Sequence, residues 1–171
     1  DDGNITAMFT AGMIDAVWNR FSPVSITRST ANQSVTNSTT LVDATSLEAR
    51  VRINETAVFE ANIRYVGDPA GDIKIAFTGP TGATIRWDNI GSLYLGTGDT
   101  VTVSTGERVE DGTRAFGASS STRTISVKGY IQMSTTDGPL KLQFAQSSAD
   151  ATASTILANS YLKIYHENIN V

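Results

Sequence analysis

A two-residue alternation of apolar and polar side chains, repeated in many short runs, most restricts what this chain can fold into. Phe59, Ala61, Ile63 and Tyr65 share one phase, with Glu60, Asn62 and Arg64 in the other. Ile73, Ile75 and Phe77 follow the same rule, as do Ile85 and Trp87, then Val101 and Val103. The longest run carries Ile125, Val127, Gly129, Ile131 and Met133. Leu140, Leu142 and Phe144, then Leu162, Ile164 and His166, complete the series. Successive side chains of a strand point to opposite faces, so each run predicts a strand with one buried side.

Strong turn signals separate these runs: Gly67-Asp-Pro-Ala-Gly-Asp72, Gly79-Pro-Thr-Gly82, Gly96-Thr-Gly-Asp99 and Thr136-Asp-Gly-Pro139. They leave no room for the crossover helices of a parallel sheet. Eight or more short strands over one core predict an all-β sandwich or jelly roll. The 40 Ser and Thr residues agree with this, because hydroxyl side chains suit strands and turns better than helix interiors. The stretch from Thr27 to Asp43 is polar, and an extended segment through Ser34–Thr39 reads as an edge strand or a linker.

The first segment has a different period. Phe9, Met13, Val17 and Phe21 recur every four positions, Met8, Ile14 and Trp18 widen the stripe, and Pro23 follows. This spacing predicts about four turns of helix. Its face is too apolar for water, so it docks on its own domain, a sister chain or a larger assembly. The expected organisation is therefore a helical anchor and linker over 1–26, with Phe9, Met13, Val17, Trp18 and Phe21 as anchor residues, and a β-domain over 27–171.

Little in the sequence points to catalysis. There is no Cys, hence no thiolate nucleophile, disulfide or sulfur metal site. The single His166 excludes a multi-histidine metal cluster within one chain, and it reads as a core-edge or interface histidine rather than a general base. Acidic residues occur in turns, where capping is favoured over a loop-bound calcium. No glycine pattern matches a phosphate cradle. Thirteen Lys and Arg against 17 Asp and Glu give a net charge of -4, with scattered arginines, which argues against a nucleic-acid partner. No apolar run approaches the roughly 20 residues needed to cross a bilayer. No cofactor and no enzyme activity are expected.

The polar phase of the last strands is unusual. Tyr130 and Gln132, then Gln143 and Ala145, then Tyr161, Lys163 and Tyr165 oppose the core side of their runs. A solvated sheet face usually carries charge, whereas aromatic rings beside small residues and amides are typical of protein contacts. Self-association through this face is favoured over rings that merely cover an edge or loop.

Thr124-Ile-Ser-Val-Lys-Gly-Tyr-Ile-Gln-Met133, Gly138-Pro-Leu-Lys-Leu-Gln-Phe-Ala-Gln146 and Ser160-Tyr-Leu-Lys-Ile-Tyr165 together resemble the closing strands of tumour-necrosis-factor/C1q-like jelly rolls. The resemblance is closer to versions of that domain in bacteriophage head and tail structural proteins. There a Leu-x-x-Ala-Gln-like run precedes a Ser/Ala/Thr-rich stretch, here Ser147–Thr155. Ala57–Tyr65 matches an early strand, and the likeness spans residues 45–167. It implies a homotrimer whose threefold axis is lined by Tyr130, Gln132, Gln143, Tyr161 and Tyr165. The sequence shows neither a collagenous stem nor a membrane anchor, which speaks against a host cytokine role.

The resulting expectation is a non-enzymatic virion protein: a trimeric capsid decoration or cement protein whose partner is the major capsid protein or another virion protein. The alternative is the receptor-binding head of a tail fibre or spike that recognises a host-surface glycan or protein. Under it, Trp87, Tyr94 and Phe116 are candidates to stack on a sugar, although burial is the favoured reading for each.

Overall fold

The computed structural model describes residues 23–92, 108–109 and 112–166. The expected N-terminal helix with its anchor residues, the Val101/Val103 run and Tyr94 lie outside them. The strands are β1 (Val24–Arg28), β2 (Gln33–Val35), β3 (Val42–Val51), β4 (Thr56–Val66), β5 (Ile73–Thr78) and β6 (Thr84–Ser92). They continue as β7 (Arg108–Val109), β8 (Arg114–Phe116), β9 (Arg123–Gln132), β10 (Gly138–Ala145), β11 (Ser154–Ile156) and β12 (Tyr161–His166).

Their pairing is nested. β1 pairs with β12, β2 with β11, β3 with β10, β4 with β9, β5 with β8 and β6 with β7, all antiparallel. The chain is thus one long hairpin rolled onto itself, and rolling adds the contacts of β12 and β11 with β4, β10 with β5, and β9 with β6. The larger sheet runs β1-β12-β4-β9-β6-β7, with β11 and β2 joined at its side, and the smaller runs β3-β10-β5-β8. This order is that of an antiparallel jelly-roll sandwich.

The core lies between the two inner faces. Phe59, Ile63, Ile125, Ile131, Leu162 and Ile164 meet Leu47, Ile73, Ile75, Leu140, Leu142 and Phe144, all of them buried. Each belongs to the apolar phase of an alternating run except Leu47. One inner-facing position is glycine for a visible reason: Gly129 lies opposite Phe59 on one side and Trp87 on the other. The Phe59 ring and the Arg86 carbonyl oxygen fill the space it leaves. Phe77 of the smaller sheet packs onto both rings, with centroids 4.8 Å from Phe59 and 5.3 Å from Trp87.

Three differences from the sequence reading have physical causes. β3 occupies residues expected to begin as a polar linker, and its buried side chains are Ala44, Leu47, Ala49 and Val51. The alternation breaks between 44 and 47, where the register against β10 shifts and Ser46 takes a left-handed φ of 65°. A bulge of this kind conceals a strand from any period-two pattern. β8 and β11, at three residues each, are too short to show a period. β1 crosses the boundary expected at 26/27, since its whole length pairs with β12.

Loops are held by buried polar groups. Gln146, fully buried, uses its whole amide: Oε1 accepts from the Ser38 and Asp150 amides at 3.1 and 3.2 Å. Its Nε2 donates to the Asp150 and Thr152 carbonyls at 3.0 and 2.8 Å. Ser160 Oγ, also buried, accepts from the Arg64 amide at 3.0 Å and donates to the Leu157 carbonyl at 2.8 Å.

Candidate interaction surface

Directly opposed residues of adjacent antiparallel strands share a face, so the register lays out the outer side of the larger sheet. One level crosses the strands as Val24, Tyr165, Val58, Tyr130 and Arg86. The next level carries Ile26, Lys163, Glu60, Lys128 and Asp88, and the one beyond it Arg28, Tyr161, Asn62 and Ser126. Ile26 is 57% exposed and Val58 40%. A sheet side turned to water seldom carries tyrosines and aliphatic side chains in a continuous row.

Charge is also present, and around Glu60 it is tied down within the face. Lys128 Nζ lies 3.0 Å from Glu60 Oε1, and Tyr165 donates its hydroxyl to Glu60 Oε2 at 3.0 Å. Lys163 Nζ sits 4.4 Å from the centroid of the Tyr165 ring, a cation–π contact. The Lys128 ammonium first, and the Tyr165 hydroxyl after it, hold the Glu60 carboxyl below its ordinary 4.5. A carboxyl with a lowered folded-state pKa stabilises the fold above that ordinary value and loses the contribution as pH falls through the folded-state value. Glu60→Gln is therefore expected to cost about 0.5–1 kcal/mol at pH 7, as half-exposed pairs do. Urea titrations should show the gap from the parent closing below about pH 4. A gap that stays constant with pH would count against this network.

The outer side of the smaller sheet differs in kind. Asp43 receives Lys141 Nζ and Gln143 Nε2, each at 2.8 Å, Glu48 lies 3.8 Å from Lys141, and Arg50 pairs with Asp137. The Lys141 ammonium, then the Gln143 amide, pull the Asp43 carboxyl below its ordinary 3.8. This is the exposed ion-pair pattern of a solvated face.

The structure brings Tyr130, Gln132, Tyr161 and Tyr165 onto one outer face, and it separates Gln143 from them. Gln143 stands on β10 in the smaller sheet, on the opposite side of the sandwich, and it is bonded to Asp43. Alternation assigns a residue to the inner or outer side of its strand but does not say which sheet the strand joins. Ile26 and Val58 were missed. Val58 left a signal, as an aliphatic residue in the polar phase between Thr56 and Glu60.

His166 holds the core-edge place expected of it. Its Nδ1 is 2.6 Å from Glu55 Oε1, with side chains 9% and 6% exposed, and Glu55 Oε2 accepts the Arg52 amide at 2.8 Å. The pair ties the end of β12 to the β3–β4 turn. Trp87 and Phe116 are buried in the core, which removes them as sugar platforms. Among the described residues, no group of three or more acidic or histidine side chains is placed to hold a metal ion.

No family model matches the chain. No curated protein matches it either. Among solved structures, a chain in the structure of infectious bursal disease virus, Gx strain, is similar at 10% identity with a TM-score of 0.24. That match spans 86% of this chain and 38% of the viral one.

Proposed function

We propose that this chain is a non-enzymatic structural protein of a virion, a jelly-roll module that self-associates into a homotrimer and decorates or cements an assembled phage head. The observation that carries the self-association is the outer face of the larger sheet, where Tyr165, Val58 and Tyr130 form a row and Ile26 stands exposed beside it. The virion setting is supported by the resemblance of the closing strands to phage head and tail proteins. Binding energy is then the mechanism. A protein that binds only the assembled shell stabilises it by mass action, and three linked contacts exceed one by avidity. The apolar stripe of residues 1–22 is the element assigned to the shell contact. The charged outer side of the smaller sheet suits the solvent side.

Native mass spectrometry tests the core of this reading and is expected to give three chains. Val58→Lys places a charge in the row at a side chain already 40% exposed, so it is expected to yield a folded monomer. A parent protein that remains a monomer at tens of micromolar would defeat the reading. Deletion of residues 1–22 is expected to abolish binding to capsids while leaving the mass at three chains. Undiminished capsid binding would remove the anchor role.

A further inference from the structure

We propose that the free edge of β3 is a strand-docking site held shut by the side chain of Gln33, which keeps a second copy of the chain from adding to the smaller sheet. Among the described residues β3 ends that sheet, in the order β3-β10-β5-β8. An end strand presents backbone N–H and C=O groups that a strand of another molecule can take up. Here two of those groups are already taken. Gln33 Nε2 donates to the Asp43 carbonyl at 2.9 Å, and Gln33 Oε1 accepts from the Thr45 amide at 2.6 Å. A carbonyl and the N–H two residues on are the pair that one residue of a parallel neighbour would bond. The side-chain amide therefore stands in for one residue of an added strand.

Gln33 belongs to β2, which pairs with β11 beside the larger sheet, so its amide bridges the two sheets. Its position does not depend on that amide. The Gln33 backbone pairs with Ile156, the Ser34 and Thr155 hydroxyls bond at 2.8 Å, and Asn32 Oδ1 accepts from the Ala158 amide at 2.9 Å. Immediately beyond Thr45, the left-handed Ser46 bends β3 in a bulge, another device that turns an edge away from pairing. Amide and bulge thus guard adjoining lengths of one edge. Asp43, Thr45 and Ser46 are all exposed, so another molecule can reach the stretch that the amide occupies. The occupant kept out is a second copy, because purified chains meet no other strands and an edge opened in one copy is opened in all. Such a contact would join copies through the smaller sheet, independently of the tyrosine-bearing face of the larger one.

Full-length Gln33→Ala and Gln33→Glu test this. In dilute Gln33→Ala the Thr45 amide is expected to exchange about tenfold faster than in the parent, as loss of one hydrogen bond implies. At high concentration that protection should return as β3 pairs between copies, and native mass spectrometry should show species at twice the parent's mass, whatever that mass is. Gln33→Glu keeps an acceptor for Thr45, loses the donor to Asp43 and sets a charge on the edge. Edge charge deters strand addition, so this variant is expected to keep the parent's mass at every concentration. Circular dichroism melts of both should stay close to the parent's, because β2 is held by its own backbone pairs. A Gln33→Ala protein that keeps the parent's mass, with no return of Thr45 protection, would overturn the proposal and leave Gln33 a local tie between sheets. Equal association of both variants with lowered melting points would also overturn it, as general destabilisation. So would a Thr45 amide that stays protected in dilute Gln33→Ala, since another group would then cover the edge.

Discussion

Replacing Gly129 with any larger residue is expected to destabilise this protein strongly, by overpacking the inner face of the larger sheet. A Cβ built there lies 2.4 Å from the Arg86 carbonyl oxygen, and 2.6 and 2.8 Å from Phe59 Cζ and Cε1. Neither neighbour yields easily. The carbonyl belongs to β6, which is laddered to β9 on both sides of the contact, and the Phe59 ring is fully buried against Phe77. Overpacking a core costs about 1–3 kcal/mol, occasionally more. With backbone as one of the obstructing groups, Gly129→Ala is expected at the upper end, about 3 kcal/mol, and Gly129→Val beyond it. A domain of this size holds only about 5–15 kcal/mol, so the valine variant should be largely insoluble or open at 37 °C. Urea unfolding of the alanine variant checks the figure. Adding Phe59→Leu should recover part of the loss by removing the ring contact, giving an interaction energy of the sign a shared space requires. A Gly129→Ala protein as stable as its parent would show that the sheet shifts freely here.

The second large effect is at Gln146, where a polar residue is fully buried and its amide makes four hydrogen bonds. Gln146→Leu keeps the size and removes every bond, so the Ser38 and Asp150 amides and the Thr152 carbonyl lose this partner, while the Asp150 carbonyl keeps the Asn37 amide at 2.9 Å. Ser38 and Asp150 are half-buried and Thr152 is exposed, so water relieves part of the roughly 1–3 kcal/mol that each lost partner would cost if fully buried, for an expected total of about 2–3 kcal/mol. Gln146→Glu should be worse at neutral pH. It keeps an acceptor for the two amides but turns a buried carboxylate oxygen toward two carbonyls. Hydrogen exchange discriminates local from global failure: the Ser38 and Asp150 amides should lose protection before those of β4 or β9. Equal loss everywhere would mean that the loop is not separately anchored by this side chain.

These two residues also show where the sequence was readable. Gly129 was placed correctly on the core face by its phase between Val127 and Ile131, because period two is a local property that a few neighbours establish. The need for glycine there is not local, since it arises from the Phe59 ring and the Arg86 carbonyl on flanking strands. Gln146 stood in a recognisable Ala-Gln run, yet nothing about an amide side chain announces burial; only the loop that folds over it does. Among the interface candidates, Tyr130, Tyr161 and Tyr165 came onto one face because their strands β9 and β12 both flank β4. Gln143 did not, because its strand belongs to the other sheet. β3 escaped notice through one bulge around Ser46, although its buried Leu47, Ala49 and Val51 are as apolar as those of any other strand.

The nested pairing has a kinetic consequence. Closing a loop costs entropy that grows with its length, and folds built from distant pairs form slowly. β6 and β7 enclose the shortest span, whereas the pairing of Val24 with Tyr165 encloses nearly the whole described chain. Rolling from the inside outward is the low-cost order, so β1 is expected to join last. Until it does, β12 presents an uncovered edge, the kind of template on which strands of other molecules add indiscriminately. Folding order therefore sets how long β12 stays open to such additions, so refolding at high protein concentration is expected to lose more chains to aggregation than refolding when dilute.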